Sequence, residues 1–363
     1  MHSDRLRRLR KAIRGKDLDA LLITNPNDIR YLTGFSGEDS FALCAPRKLV
    51  IISDSRFEEE LAPLSGEATI VIRRDKRLTE ETGRLVEAMK LDTLAIQAEH
   101  VTVQTRDALA KAVGAKKLRK TVGLVSKLRA KKDEAEVRLI REAIRIQQEA
   151  LRAALEWFTP GVTESRFAAY LEYEMKSRGA DGAAFRSIVA GKANGSKPHY
   201  NPSPKVKITK NQPLLIDWGA RVGGYCGDLT RTFAVGKMPS RIREIYGIVL
   251  EAQKKAIDAI RPGVACRTID EVARDHITSA GYGEAFGHGL GHGLGLDVHE
   301  SPGLSKRAAK DDLLEAGMVV TVEPGIYLPG VGGVRIEDDV LVTEKGRRVL
   351  SDFPKEIDSA IIG

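Results

Sequence analysis

The sequence predicts two domains, an α/β domain over residues 1–124 and an α+β domain over residues 125–363. Three observations predict this architecture. The chain of 363 residues exceeds the size that one hydrophobic core usually supports. Its first part alternates helix-like and strand-like segments, which is typical of α/β layers. Its second part repeats one order of elements, helix, helix and hairpin, which predicts helices on one face of a curved, mostly antiparallel sheet.

The N-terminal elements follow from hydrophobic periodicity. Helices are predicted over 4–15, 54–62 and 79–90, and strands over 18–24, 40–53, 68–73 and 93–97. The basic segment 111–132 contains Gly114 and Gly123 and is predicted to be a solvated connector between the domains. The net charge is +8, but no aromatic residues alternate with these bases to stack on nucleotides, so no nucleic-acid partner is expected.

The C-terminal domain contains two similar halves. A long amphipathic helix is predicted over 133–157 and again over 240–260. A Pro-Gly-Val sequence at 160–162 and at 262–264 then introduces a second helix in each half. An Ala-Phe pair, a segment with His199 or His299, and a hairpin follow. In this alignment Asp217 corresponds to Glu323 and Asp228 to Glu337, so a pseudo-twofold axis would bring the two pairs face to face.

Each predicted hairpin carries a carboxylate on both of its strands. In the first hairpin, Asp217 interrupts the apolar run 214–219, and Asp228 lies in the strand-like stretch 225–233 after a glycine-rich turn. The second hairpin pairs 319–325, with Glu323, against 334–342. Alternation places Arg335, Glu337 and Asp339 on one face of that last strand.

A glycine- and histidine-rich run over 287–300 lies between the hairpins and contains His288, His292 and His299. It does not match a phosphate-binding loop, because it continues into a strand-like stretch over 294–299 and not into a helix.

These acids and histidines together predict a metal site. Taken singly, each acid is more often an edge or turn residue, but four carboxylates with one imidazole carry a charge that two divalent cations would neutralise. Oxygen-rich ligands favour Mn or Co, with Zn as the alternative. No C-x-x-C spacing is present, so Cys44, Cys226 and Cys266 are predicted to be small buried residues or free thiols.

The sequences around these residues resemble those of the pita-bread metallopeptidases, specifically aminopeptidase P and prolidase. The resemblance covers essentially the whole chain and is closest to bacterial short-form Xaa-Pro aminopeptidases. It is carried by the sequences at 217–233, 291–300, 322–327 and 333–339. The N-terminal part is similar to the creatinase-type domain, most clearly at 30–37. A pita-bread catalytic domain after a creatinase-like domain is therefore expected.

The resemblance also implies roles for individual residues. Asp217 would bind one metal ion, His292 and Glu323 the other, and Asp228 and Glu337 would bridge both. Substrate-facing positions would be held by three histidines, and Glu323 would also pass a proton to the leaving nitrogen. The three histidines are His199, His288 and His299, and Arg335 matches the strand arginine of the family. Gly227 departs from the family, where Ser is frequent.

The implied activity is hydrolysis of the bond between an N-terminal residue and a following proline by a dinuclear metallo-exopeptidase. The alternatives are a prolidase restricted to Xaa-Pro dipeptides, a non-catalytic pita-bread binding protein and a creatinase-like amidinohydrolase that works without metal. A proline-containing peptide is the expected substrate and a homodimer the expected assembly. No apolar stretch reaches 18 residues and no secretory signal is evident, so a cytoplasmic location away from membranes is expected.

Overall fold

The computed structural model describes residues 2–362 and contains two compact units, Met1–Arg129 and Ala130–Gly363. The sequence placed the domain boundary after residue 124. None of the helices in the described part of the chain combines the length and apolarity that a membrane crossing requires.

The first unit is built on a six-stranded mixed sheet. Its strands are β1 (Ala20–Ile23), β2 (Phe41–Cys44), β3 (Leu49–Asp54), β4 (Thr69–Arg73), β5 (Leu94–Gln97) and β6 (Leu118–Thr121), in the order β4-β3-β2-β1-β5-β6. Its helices are α1 (His2–Arg14), α2 (Pro26–Thr33), α3 (Glu58–Leu61), α4 (Leu78–Ala88), α5 (Val103–Leu109) and α6 (Ser126–Ala130). Strands β1, β5 and β6 run parallel, as the α/β prediction requires.

One N-terminal strand prediction was wrong, and the helices α2 and α5 were missed. The single strand predicted over 40–53 is the antiparallel hairpin β2–β3, because the chain turns at Pro46 and the amide of Ala45 donates to the carbonyl of Lys48. Helix α2 was not predicted. Its signals are nevertheless local, since the side chain of Asn25 accepts from two amides of the first turn and Pro26 occupies the first helical position.

The basic segment 111–132 is folded, which contradicts the predicted solvated connector. It contains a π-helical turn, strand β6 and helix α6. Charged side chains are typical of an edge strand, where they face solvent, and β6 lies at the edge of the sheet. Arg129, within the same segment, forms a buried ion pair with Asp28 at 2.7 Å.

The second unit repeats a pair of helices, as predicted. The helices are α7 (Glu134–Trp157) with α8 (Glu164–Ser177), and α9 (Ser240–Ala259) with α10 (Cys266–Ser279). Helix α7 begins with a capping box in which the side chains of Asp133 and Glu136 each accept from the other's backbone amide. Each pair packs into its own core, centred on Phe167 and Trp218 in the first half and on Ile269 and Val320 in the second.

The strands of this unit form four small sheets instead of one continuous sheet. They are β7 (Gly182–Ala183), β8 (Ile188–Gly191), β9 (Gln212–Trp218), β10 (Ala220–Val222), β11 (Tyr225–Cys226), β12 (Leu229–Val235), β13 (Gly291–Gly293), β14 (Glu300–Leu304), β15 (Val319–Val322), β16 (Gly325–Leu328), β17 (Gly332–Arg335), β18 (Asp338–Thr343), β19 (Gly346–Val349) and β20 (Ile361–Ile362). The sheets have the orders β11-β10-β7, β20-β12-β9-β8, β14-β13-β15-β18-β19 and β16-β17. All pairings are antiparallel except that of β12 with β20.

Both predicted hairpins form, but their second strands are interrupted. The pairing β9–β12 places Asp217 opposite Thr230, and the pairing β15–β18 places Val322 opposite Asp338. The stretches predicted as continuous over 225–233 and 334–342 break before β12 and before β18, because the amides there bond outside their own ladder. Asp228 donates to a side chain of the other half, and Glu337 donates to the carbonyl of Thr230. The strand predicted over 294–299 is a series of bends.

The three cysteines are buried and unpaired by disulfide, which confirms the prediction for Cys44, Cys226 and Cys266. Burial raises the pKa of each thiol to about 11.

Candidate metal centre

All five predicted ligands meet on the wall of one cavity. Asp217 lies near the end of β9, Asp228 just before β12, His292 in β13, Glu323 just after β15 and Glu337 just before β18. The Nε2 atom of His292 lies 3.3 Å from Oε1 of Glu323 and 3.7 Å from Oδ2 of Asp228. One ligand atom from each of Asp228, His292 and Glu337 lies within 4.8 Å of the others. The strand ends of both halves thus supply one cluster.

The chemistry of this cluster fits bound cations. Burial, reinforced by the neighbouring carboxylates, raises the pKa of Asp228 and of Glu337 well above the ordinary range. Two buried oxygens, Oδ1 of Asp217 and Oε1 of Glu337, have no hydrogen-bond donor among residues 2–362. Buried anionic oxygens without donors are costly unless a cation binds them, and hard divalent ions prefer such oxygens.

His292 is oriented as a nitrogen ligand. Its Nδ1 lies 3.1 Å from the carbonyl oxygen of Gly293, so this nitrogen donates and Nε2 faces the carboxylates. Against the effect of burial, Glu323 raises the pKa of His292, so Nε2 donates to this carboxylate when protonated and would offer its lone pair to a metal ion once deprotonated. Burial alone would raise the pKa of Glu323, but the hydrogen bond and the charge of His292 hold it below its ordinary value.

Two threonines that the sequence analysis missed support the ligands. The hydroxyl of Thr230 donates to Oε2 of Glu337 at 2.6 Å, and the hydroxyl of Thr321 lies 3.3 Å from Oε1 of Glu323. Thr230 follows Asp228 by two residues and Thr321 precedes Glu323 by two. The period-two spacing of side chains in strands was the signal that could have identified them.

The three residues predicted to share one face of the last strand lie in two strands and the break between them, but they contact the same short segment. Arg335 donates from Nε to Thr230, Glu337 accepts from Thr230, and Oδ2 of Asp339 accepts from the amide of Asp228 at 3.1 Å. The three side chains therefore all contact residues 228–230, although a strand break separates Arg335 from Asp339.

Arg335 connects the cluster to His288. Its Nη2 donates to Asp217 at 2.5 Å and its Nη1 donates to the hydroxyl of Tyr327 at 2.8 Å. Tyr327 lies 2.9 Å from Nε2 of His288, whose Nδ1 lies 2.7 Å from the carbonyl of Gly289. Burial lowers the pKa of His288, so the neutral ring donates from Nδ1 and accepts from Tyr327. Tyr327, which the sequence analysis also missed, links Arg335 to His288 and fixes the orientation of both side chains.

The cavity above the cluster has a volume of about 1110 Å³. His199, His288 and His299 line it together with the five ligands, so all predicted site residues are brought together. The rings of His292 and His299 meet edge to face with centroids 4.3 Å apart. Burial, followed by the charge of His292, lowers the pKa of His299. Further lining residues are Phe185, Arg186, Ile188, Pro198, Tyr200, Asn201, Glu284 and Val298.

Gly227, the departure from the family pattern, has a steric explanation. A Cβ atom at this position would lie 2.6 Å from Oε1 of Gln147, which accepts a 2.9 Å hydrogen bond from the amide of Ala220. The glycine gives space to a side chain of α7 and leaves every ligand assignment intact.

Comparisons with known proteins identify the family of both domains. Residues 138–344 match the model of metallopeptidase family M24, and residues 5–131 match that of the creatinase/prolidase N-terminal domain. An uncharacterized peptidase of Bacillus subtilis is 39% identical over 97% of this chain and 99% of its own length. The structure is similar to that of an Xaa-Pro dipeptidase from Bacillus anthracis, with a TM-score of 0.94, 37% identity and coverage of 100% of both chains.

It is also similar to an X-Pro aminopeptidase from Thermotoga maritima, with a TM-score of 0.85, 35% identity and coverage of 95% of this chain and 97% of the other. Both the expected pita-bread fold and its creatinase-like partner domain are thereby confirmed. The chain belongs to metallopeptidase family M24 and carries a creatinase/prolidase N-terminal domain.

Proposed function

We propose that this enzyme hydrolyses the peptide bond between an N-terminal residue and a following proline, with two divalent metal ions as cofactors. The observation that carries the proposal is the cluster of four carboxylates and His292, with buried donor-free oxygens, on the wall of a 1110 Å³ cavity. The Bacillus anthracis protein is named as an Xaa-Pro dipeptidase and the Thermotoga maritima protein as an X-Pro aminopeptidase, which supports the choice of an Xaa-Pro bond.

The proposed ligands divide as the family resemblance implies. Asp217 would hold one ion, His292 and Glu323 the other, and Asp228 and Glu337 both. When bound, the ions would supply Lewis-acid polarisation of the scissile carbonyl and would lower the pKa of an attacking water. The ligand oxygens and nitrogen suit Mn or Co, with Zn as the alternative.

The chain's own side chains would carry the remaining steps. His299 and His199 line the cavity beside the ligands and would donate hydrogen bonds to the oxygen that becomes anionic in the tetrahedral species. Glu323 would accept the proton of the attacking water and pass it to the leaving nitrogen. Arg335 would hold Asp217 in place through its 2.5 Å hydrogen bond, and His288 would orient Tyr327.

Proline fits such a site because its amide nitrogen carries no hydrogen and its ring fixes φ. Exopeptidases that hydrogen-bond to that N–H lose the contact. Here the cavity wall offers imidazole rings and the aromatic side chains of Phe185 and Tyr200, which can pack on a pyrrolidine ring without needing an N–H donor.

A prolidase that accepts only Xaa-Pro dipeptides is the second candidate. Two guanidinium groups line the cavity, and Arg335 is already paired with Asp217. Arg186, which contacts Asn201, would therefore be the group that meets the free carboxylate of a dipeptide. The similarity to the Bacillus anthracis dipeptidase also favours this candidate. A homodimer and a cytoplasmic location stay predictions from the sequence.

The test is a comparison of three peptides with metal-reconstituted protein. Ala-Pro-Ala should be cut before proline with a kcat/KM at least about tenfold above Ala-Ala-Ala, equivalent to roughly 1.4 kcal/mol. Cleavage of both tripeptides at equal, measurable rates would identify a general aminopeptidase. Ala-Pro decides between the candidates, since a prolidase cuts it and leaves Ala-Pro-Ala intact.

A further inference from the structure

A buried carboxylate outside the metal centre binds the segment that carries His199. Glu164, the first residue of α8, is fully buried. Its Oε1 accepts from the amide of Gly191 at 2.8 Å and from Nδ2 of Asn194 at 3.0 Å. Its Oε2 accepts from the hydroxyl of Tyr200 at 2.8 Å and from the amide of Ser203 at 3.1 Å.

All four donors belong to the segment 191–203. Between β8 and β9 this part of the chain forms one 3-10 turn, Lys192–Ser196, and otherwise has no helix or strand. Few ladder hydrogen bonds are therefore available to fix it. A backbone hydrogen bond next to Glu164 also holds the segment, because the amide of Ser165 donates to the carbonyl of Ser203. The carboxylate thus binds residues at both ends and in the middle of the segment 191–203.

The same segment contacts the centre directly. His199 and Tyr200 line the cavity, and the carbonyl of Pro198 accepts from Nη1 of Arg335 at 3.5 Å. Tyr200 also packs against the apolar cluster that contains Tyr327. A shift of this segment would move the imidazole of His199 relative to the ligands.

A carboxylate suits this position and an amide does not. Each of the four partners donates, and an ionised carboxylate offers only acceptors. A glutamine of the same shape would point its NH₂ group at two of these donors. No salt bridge described in residues 2–362 includes Glu164. The four hydrogen bonds therefore stabilise the carboxylate. A residue that only capped the helix would not need four donors from a distant segment.

We propose that Glu164 is a positioning residue that holds His199 in its productive place through the 191–203 segment. The inference rests on the proposed function, because His199 is given its role there. It predicts that loss of the carboxylate lowers catalysis by displacing His199 and leaves the metal content unchanged.

The experiment compares Glu164→Gln with a matched control, Glu174→Gln. Glu174 lies on the same helix and is also buried, but its ion pair is with Arg178, the residue that follows the last turn of that helix. Glu164→Gln should lower kcat/KM on the prolyl peptide by about 10- to 100-fold, as expected for a misplaced catalytic group, with metal content unchanged. Glu174→Gln should stay near the parent value. Tyr200→Phe, which removes one hydrogen bond of four, should show a smaller loss and serves if Glu164→Gln fails to fold.

Two further measurements separate positioning from general destabilisation. In a His199→Ala background, Glu164→Gln should have almost no additional effect on kcat/KM, because both changes act on one group. Hydrogen exchange of the amides in 191–203 should accelerate in Glu164→Gln and not in Glu174→Gln. A full additional loss in the His199→Ala background, or unchanged exchange in 191–203, would overturn the proposal. If the parent cuts no prolyl peptide while exchange accelerates selectively, the proposed function is wrong and Glu164 still holds the segment.

Discussion

The two halves of the C-terminal unit repeat the same elements but fix their hairpins by different forces. Each first helix buries a glutamine at its fourteenth residue, Gln147 in α7, which begins at residue 134, and Gln253 in α9, which begins at residue 240. Both side chains are fully buried and both contact the hairpin of their own half. The two halves therefore differ in the groups that the buried glutamine contacts.

In the first half the contact is neutral and steric. The Nε1 of Trp218 donates to the carbonyl of Gln147, and the amide of Ala220 donates to its side chain. The glutamine occupies the space that the missing side chain of Gly227 leaves. Asp228 follows directly, so its position depends on this close fit.

In the second half the contact is charged. Gln253 donates to Asp338 at 2.8 Å, and Asp338 also pairs with Arg231 and Lys355. Arg231 in turn donates to the carbonyl of Glu337 at 2.5 Å. The position that corresponds to Gly227 is Ile336, which is buried in the core. The close fit of Gln147 against Gly227 thus positions the break at Asp228, and a buried ionic network around Asp338 positions the break at Glu337.

The largest expected effect comes from replacing Asp228, whose backbone amide bonds to the other half. Asp228→Ala removes a ligand that we propose is shared by both metal ions, so it should deplete metal and lower kcat/KM by more than about 10³-fold. This loss exceeds the one expected from removing a single hydrogen-bond donor to the transition state. Atomic emission and peptide assays measure both. Asp258→Ala, an exposed carboxylate paired with Arg347, is the control and should match the parent. Stoichiometric metal with full activity in Asp228→Ala would sink the bridging assignment.

The ionic half should be sensitive to charge. Asp338→Asn leaves the buried Arg231 and the ammonium of Lys355 without their carboxylate, so it should lower the free energy of unfolding by about 3–5 kcal/mol. Urea titration of the metal-loaded protein measures this. Asp352→Asn, at a nearby exposed position, is the control. A loss below about 1 kcal/mol would show that the network does not hold the second hairpin.

The histidines of the second half should divide between binding and catalysis. His299→Ala should lower kcat by on the order of 10²–10³ with metal content nearly unchanged, because the ring steadies the transition state. His292→Ala should instead deplete metal. His276→Ala, whose ring contacts Lys255 on α9, is the control. Loss of metal in His299→Ala with metal retained in His292→Ala would mean that the two roles are exchanged, and equal loss in both would mean that His299 also holds metal.

The steric half should be sensitive to volume. Gly227→Ala should cost about 1–3 kcal/mol of unfolding free energy, because the new methyl group meets Gln147 at 2.6 Å. Gly247→Ala, in the interior of α9 with open space around it, should stabilise by up to about 1 kcal/mol. Thermal unfolding of the two variants gives the comparison, and a stabilised Gly227→Ala would contradict the close fit.

The sequence predicted which acids and histidines lie together, and it predicted the helix pairs, because the signals of both are local. Asp217 and Glu323 interrupt or end apolar runs, and the periodicity of α7 and α9 extends over many turns. It predicted continuous strands where Asp228 and Glu337 lie in breaks, because the competing hydrogen bonds come from residues about 110 positions away. Glu164 and Tyr327 escaped notice for the same reason, since their importance depends on partners that only the folded chain brings close.

The hydrogen bonds that join the two halves at the metal centre have a consequence for how the protein is made. Thr230 bonds Glu337, and Thr232 bonds the backbone of Arg335, across more than 100 residues of sequence. During synthesis the first hairpin leaves the ribosome long before residues 323 and 337 exist. A nascent chain therefore presents Asp217 and Asp228 without their partners, and closing the long loop must precede assembly of the site. The full set of proposed metal ligands therefore comes together only after the whole C-terminal unit has been synthesised and folded.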